Sequence, residues 1–244
     1  AFNNTYDRKT GTVVIPTTPS QLNTDDHYAY VIGYPDGSVH PNGEITRAEV
    51  ATIFFRLLRD SVRDANFTSY NAYTDVSADK WYNNPVSTMS RLGIIKGYPD
   101  GTFRPNDPIT RAEFAAIAAR FDEHKAAKLA SFTDIYGHWA VSEISLAYEN
   151  GWIKGYNDGT FRPNRNITRA EAMALINRVL NRAPEKPSDL LNNMNKWTDN
   201  MDTTKWYYLD VQEATNSHDY TRKTNNYEMW KKMRTDPNWA KYER

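Results

Sequence analysis

Three arginines, Arg47, Arg111 and Arg169, stand in one frame, Ile-Thr-Arg-Ala-Glu, at Ile45–Glu49, Ile109–Glu113 and Ile167–Glu171. Thr-x-x-Glu is a capping box: Thr46, Thr110 or Thr168 caps a helix, and Glu49, Glu113 or Glu171 reaches back from the third helical position. The arginine therefore takes the first helical position, where the macrodipole disfavours a cation by about 0.3–1 kcal/mol. A chain that repeats this choice three times either pairs the arginine with a carboxylate or holds it for an external anion. Free N–H donors at a helix N-terminus and a forked guanidinium both suit an anion, a carboxylate above all. The internal alternative is a pair with the turn aspartate of the same copy.

That aspartate lies in Gly-Tyr-Pro/Asn-Asp-Gly, which begins at Gly33, Gly97 and Gly155. Asp36, Asp100 and Asp158 suit turn formation and also a ligand contact, while Gly37, Gly101 and Gly159 take the positive φ that such a turn requires. Lys96 and Lys154 precede the turn and Arg104 and Arg162 follow it, so the local field can be positive. Trp81, Trp139 and Trp206 are read as core in preference to sugar platforms. His27, His40, His124, His138 and His218 have no ligand spacing, and Asp199-Asn-Met-Asp202 departs from an EF-hand loop. No metal and no other cofactor is expected.

The elements that must position these residues form a repeat. Gly-Tyr to Ile-Thr-Arg-Ala-Glu recurs three times, with copy-to-copy steps of 64 and 58 residues. Copies two and three are preceded by a first half, Tyr73-Thr-Asp75 with Trp81 and Phe132-Thr-Asp134 with Trp139, leading into a helix that closes at Gly93 or Gly151. Copy one lacks this half, and its counterpart appears late, as Trp197-Thr-Asp199 with Trp206. The late half is expected to pack where the helix of copy one is missing, closing a ring of three units. The stretches after each box, Val50–Leu58, Phe114–Phe121 and Ala172–Leu180, are apolar around most of their circumference and predict buried helices in a central bundle.

The chain divides into an extension (1–21), repeat one (22–71, its first helix supplied by 197–220), repeat two (72–131), repeat three (132–183) and a C-terminal segment (184–244). In the extension, Thr12-Val-Val-Ile15 reads as strand, ended by Pro16. Segments 60–71 and 122–131 read as insert-like connections. From Thr221 the tail places Tyr227, Trp230, Met233 and Trp239 on one face of a short helix.

With 244 residues, 30 Lys+Arg against 30 Asp+Glu, and 16 Tyr, 9 Phe and 7 Trp, the composition is that of a globular protein with a substantial core. Zero net charge removes any whole-chain argument for nucleic acid or an anionic membrane surface. Cysteine is absent, which excludes disulfides and thiolate chemistry. No apolar run approaches the ~20 residues of a membrane span. The start, Ala1-Phe2-Asn3-Asn4, fits neither a signal peptide nor an initiator methionine, so a mature fragment or excised region is expected.

The ordered pattern Phe-Thr-Asp, His-Trp-Ala, Gly-Tyr-x-Asp-Gly-Thr-Phe-Arg-Pro, Ile-Thr-Arg-Ala-Glu resembles the S-layer homology domain over about Asp25 to Tyr220. The resemblance implies a mainly α fold: a pseudo-threefold arrangement of three repeats around a central three-helix bundle, with short extended pieces and loops. It implies non-catalytic anchoring of a larger surface protein to the bacterial cell wall through a secondary cell-wall polysaccharide, typically its pyruvylated N-acetylmannosamine unit. Grooves between repeats would bind it through Arg47, Arg111 and Arg169, Asp36, Asp100 and Asp158, and Gly37, Gly101 and Gly159. The implied location is extracellular, with passenger domains outside this chain. Copy one departs from the pattern, with Val39-His40 in place of Phe-Arg and no first half of its own, so its groove depends on the displaced C-terminal element. Two other classes compete: a self-assembling lattice module, and a glycan hydrolase with paired carboxylates. Against the hydrolase, nearly every candidate carboxylate belongs to a triplicated cap or turn.

Overall fold

A computed structural model describes residues 18–122 and 128–243. The run Thr12–Ile15 and His124 fall outside the described residues. The fold is mainly α: α1 (Arg47–Leu57), α2 (Asp60–Asn66), α3 (Asn83–Arg91), α4 (Arg111–Ala119), α5 (Val141–Glu149), α6 (Arg169–Val179) and α7 (Tyr208–Thr215), then strands β1 (His218–Arg222) and β2 (Glu228–Met233).

The capping boxes start α1, α4 and α6. In each, the threonine hydroxyl accepts from the glutamate N–H, and the glutamate carboxylate accepts from the threonine N–H. Burial then selects these helices: every residue of α6 and all but Glu113 of α4 are buried, as the apolar circumference predicts. Their main helical partners come from the first halves. Helix α1 packs on α3, α4 on α5 and α6 on α7. Phe54 of α1 links to the next box helix through Phe114 and Phe121, at ring distances of 5.8 and 5.3 Å.

The isoleucine of each box also joins the copies through backbone. Ile109 N–H donates to Ile45 C=O (3.0 Å), Ile167 N–H to Ile109 C=O (3.1 Å) and Ile45 N–H to Ile167 C=O (3.4 Å). These three bonds form a closed cycle.

Each turn is held by the aspartate of a first half. Asp75 accepts from the N–H groups of Phe103 and Arg104 at 2.8 and 2.7 Å, and Asp134 from those of Phe161 and Arg162 at 2.8 and 2.7 Å. In copy one the remote Asp199 does the same for Val39 and His40, at 3.0 and 2.8 Å. The opening glycine is forced: a Cβ at Gly33, Gly97 or Gly155 would collide with the ring of Trp197, Tyr73 or Phe132.

The C-terminal tail differs from the helix expected after Thr221. Residues 218–222 and 228–233 form an antiparallel hairpin, with Tyr220 opposite Trp230. Spacing of three between Tyr227, Trp230 and Met233 fits a helix, but Glu228 and Trp230 are buried while Met229 and Lys231 are exposed, a period of two. Asn226 turns the hairpin at φ 66°, a left-handed conformation that asparagine adopts readily. Segment 60–71, read as a connection, contains the two-turn helix α2.

Candidate functional site

Each box arginine reaches across to the next copy. Arg47 donates from Nε to Phe103 C=O (2.8 Å), from Nη2 to Lys96 C=O (3.1 Å) and from Nη1 to Glu113 (2.7 Å). Arg111 donates to Phe161 C=O (2.7 Å) and Lys154 C=O (2.9 Å) of copy three. Arg169 donates to Val39 C=O (2.9 Å) and Glu49 (2.6 Å) of copy one. All three are buried, and each guanidinium lies over the tyrosine of the neighbouring Gly-Tyr turn, 4.8–5.2 Å from Tyr98, Tyr156 or Tyr34. The internal pair is thus with the capping glutamate of the next copy and not with the turn aspartate of the same one. Glu113 and Glu49 divide their oxygens, one for the cap and one for the arginine. A paired carboxylate and a buried carbonyl explain how a cation tolerates the first helical position.

Arg111 departs from this scheme. Glu171, its expected partner, is taken by Arg165 at 2.6 Å, and Arg165 also donates to Tyr156 Oη. Arg111 Nη1 is left buried without a hydrogen-bond partner. Burial lowers the pKa of its guanidinium, and a charged donor left buried and unpaired is costly, of order 1–3 kcal/mol or more.

The turn aspartates stay within their own turns. Asp36, Asp100 and Asp158 each accept from the N–H (3.0 Å) and hydroxyl of Ser38, Thr102 or Thr160. Asp100 and Asp158 also pair with Arg104 (2.9 Å) and Arg162 (3.0 Å). Hydrogen bonds to those threonines and arginines hold both carboxyls down at a pKa of about 2. Asp36 is lowered by Ser38. Gly37, Gly101 and Gly159 take φ of 79°, 81° and 83°, left-handed values that favour glycine. The next turn residues, His40, Arg104 and Arg162, are also left-handed, at 49°, 57° and 57°. Bonds from their N–H groups to the first-half aspartates hold them there.

Between copies one, two and three lies a cavity of about 540 Å³, bordered by Arg47, Lys96, Tyr98, Glu113, Arg120 and Trp139, with Glu143. Of the site residues expected from sequence, Arg47 lines it directly. Asp100 and Gly101 sit on the adjoining exposed turn. Trp139 departs from its expected core position: it is 58% exposed, and its counterparts Trp81 and Trp206 are 47% and 43% exposed. The residue after the tryptophan fills the core instead, Tyr82 or Ala140 or Tyr207, and the indole is turned outward. Arg120 donates from Nη1 to Ile94 C=O (2.9 Å), and burial lowers its pKa.

Sequence reasoning missed Tyr34, Tyr98 and Tyr156 as the surfaces beneath the arginines, although a tyrosine follows the opening glycine in all three copies. It also missed Arg120, whose in-frame equivalents are Arg56 and Arg178 and which, like them, donates from Nη1 to a backbone carbonyl, and Arg165, where the other copies carry Gly43 and Asp107.

Residues 28–51, 72–115 and 131–173 match the S-layer homology domain. The cellulosome-anchoring protein of Acetivibrio thermocellus is 38% identical over 209 residues, covering 83% of this chain and 45% of that protein. Cell surface glycoprotein 1 of the same organism is 38% identical over 209 residues, covering 80% of this chain and 9% of that protein. S-layer protein EA1 of Bacillus anthracis is 27% identical over 150 residues, covering 60% and 17%. The matched region is thus less than half of each relative. The three matched segments contain the repeated turns and box arginines described above, and over them the chain belongs to the S-layer homology domain family.

Proposed function

We propose that this chain anchors a longer surface protein non-covalently to the bacterial cell wall by binding a secondary cell-wall polysaccharide in grooves between copies. An anchoring role is carried in the name of the cellulosome-anchoring relative, and the family places the chain outside the cell, at the wall. The observation that carries the ligand reading is the cavity beside Arg47. It brings an exposed indole, Trp139, to the same opening as Lys96 and Arg120. An indole face suits the apolar face of a sugar ring, and two cations suit an acidic substituent such as a pyruvate ketal. We read the bound unit as pyruvylated N-acetylmannosamine. Arg47, Arg111 and Arg169 act in this reading as the floor of each groove. Asp36, Asp100 and Asp158, with Gly37, Gly101 and Gly159, shape its rim.

The closed cycle through Ile45, Ile109 and Ile167 supports a pseudo-threefold assembly of the copies. The bonds from Asp199 support a first unit completed by the C-terminal segment. The capping and pairing duties of Glu49, Glu113 and Glu171 argue against a hydrolytic role for these carboxylates.

The test is a calorimetric titration against purified wall polysaccharide, native and after acid removal of its ketals. Binding is expected to depend on the ketal and to weaken by about 1.5–3 kcal/mol in Lys96→Ala, the scale of a hydrogen bond to a charged group. Trp139→Ala is expected to reduce binding without changing the melting temperature, since the indole is exposed. Unchanged affinity in folded Lys96→Ala, Trp139→Ala and the triple Arg47/Arg111/Arg169→Ala variant would remove the groove assignment.

A further inference from the structure

We propose that His27, Glu213, His218 and Glu228 form a buried binding site for one divalent first-row transition ion, with zinc the best match. The four side chains come from the segment before copy one, from α7 and from the first residues of β1 and β2, and all are fully buried, at 0% exposure. One donor atom of each lies within 4.8 Å of all the others. His27 Nδ1 is 3.3 Å from Glu213 Oε1, 3.2 Å from Glu228 Oε2 and 3.3 Å from His218 Nε2. His218 Nε2 is 3.4 Å from Glu213 Oε2. A tetrahedral centre with bonds of ~2.0–2.1 Å holds its donor atoms about 3.3–3.4 Å apart; the distances around His27 Nδ1 match this spacing, and the four donors together lie within 4.8 Å.

A second observation points to a missing partner. Glu213 Oε1 and both carboxylate oxygens of Glu228 are buried without a hydrogen bond. Buried carboxylates are normally paired or metal-bound. The nearby buried guanidinium of Arg182 donates to the carbonyls of Tyr28, Asn23 and Asp26 and not to these oxygens.

Outer hydrogen bonds orient two of the donors, His218 and Glu213, as in metal sites. His218 Nδ1 lies 2.8 Å from Asn216 C=O, which leaves Nε2 as the lone-pair nitrogen facing the group. Trp230 Nε1–H donates to Glu213 Oε2 at 3.0 Å. The His27 ring stacks on Tyr220 (3.7 Å) and that of His218 on Trp230 (3.9 Å). Two imidazoles and two carboxylates in a four-donor set suit zinc, with manganese, iron and cobalt as poorer matches. Calcium and magnesium take six or more oxygen donors and do not suit it. The ion would join His27 to His218, 191 positions apart in the chain. It would thereby fasten the C-terminal segment beside Tyr30 and Val31, whose N–H groups donate to Ala214 C=O.

The experiment uses the full chain, stripped with chelator and then titrated with Zn²⁺ and, separately, with Co²⁺. One tightly held zinc per chain is expected, with a melting temperature raised by about 5–10 °C at a hundredfold excess over Kd. Intense visible bands of four-coordinate cobalt are expected as well. Glu228→Gln and His218→Ala should weaken binding at least about tenfold, while His40→Ala/His138→Ala should leave it unchanged. If the first pair fails to fold, the cobalt spectrum of the unaltered chain decides. A chain that retains no zinc, shows only the pale bands of six-coordinate cobalt and melts at one temperature with or without chelator would overturn the site. So would binding lost only in the His40/His138 variant.

Discussion

Copies one and two build the same turn from differently arranged chain. In copy two, Asp75 holds Phe103 and Arg104 from 28 and 29 residues away, whereas in copy one Asp199 holds Val39 and His40 from 160 and 159. The bonds match to within a few tenths of an ångström, so the local geometry is indifferent to connectivity. The cost of closure is not. Loop-closure entropy grows with the logarithm of loop length, which puts the copy-one junction about 1.5 kcal/mol behind that of copy two. The remote segment has contacts that offset this. Ala214 C=O accepts from Tyr30 and Val31, Asn177 bonds to Asp210, and Trp239 Nε1–H reaches Ala29 C=O (3.3 Å).

Truncation after Ala183 should break the comparison most severely. It removes α7, the partner of α6, and strips Tyr30 and Asn177 of their bonds to Ala214 and Asp210. Val211, Ala214 and Trp230 leave the core with it. The loss is comparable to the about 5–15 kcal/mol that holds a domain together, so the cooperative melting transition should disappear. Hydrogen exchange should show copy one opening first. A truncated chain that melts at the original temperature would reduce the C-terminal segment to an appendage.

A matched pair of substitutions sharpens the point at smaller scale. Asp75→Ala and Asp199→Ala each delete two carboxylate bonds to backbone N–H groups, and each should cost about 1–3 kcal/mol, allowing for the partial exposure of Asp199. The expected difference lies in reach. Loss of Asp75 should leave exchange protection elsewhere intact, because a short loop keeps the first half in place. Loss of Asp199 should also lower protection across α7 and β1, because the long loop releases the segment. Equal and local effects would mean that the remaining contacts alone secure the C-terminal segment.

Much of this was legible in the residues. The capping boxes, the positive-φ glycines and the absence of a first half from copy one follow from spacing and turn chemistry, which are local. Three features were hidden, each for a physical reason. Arg47 and Arg169 pair with the glutamate of the next copy, and Arg111 with its carbonyls alone, contacts that in-frame reading cannot supply. The indoles of Trp81, Trp139 and Trp206 point outward because the next residue fills the core. The hairpin of the tail was masked by a three-residue spacing that mimics a helix. The cluster of His27, Glu213, His218 and Glu228 likewise has no signature along the chain, since its members are brought together by the discontinuous junction.

The smallest expected effect separates the three turns by their titration. Asp100 and Asp158 are held at a pKa of about 2 by threonine and arginine bonds, whereas copy one has His40 at the arginine position. A depressed carboxyl contributes stability that is present above its unfolded pKa of about 3.9 and lost as pH falls toward its folded value. The turns of copies two and three should therefore keep their ionised form between about pH 4 and 2, while Asp36, lowered by Ser38 without an arginine, protonates earlier. Carboxyl chemical shifts followed through an acid titration would order the three directly. His40→Arg should bring Asp36 down to join the other two, because the left-handed backbone at His40 already matches that of Arg104 and Arg162. If Asp36 titrates with Asp100 and Asp158 in the unaltered chain, either His40 replaces the arginine or the threonine and serine bonds alone set the depression, and His40→Ala separates the two.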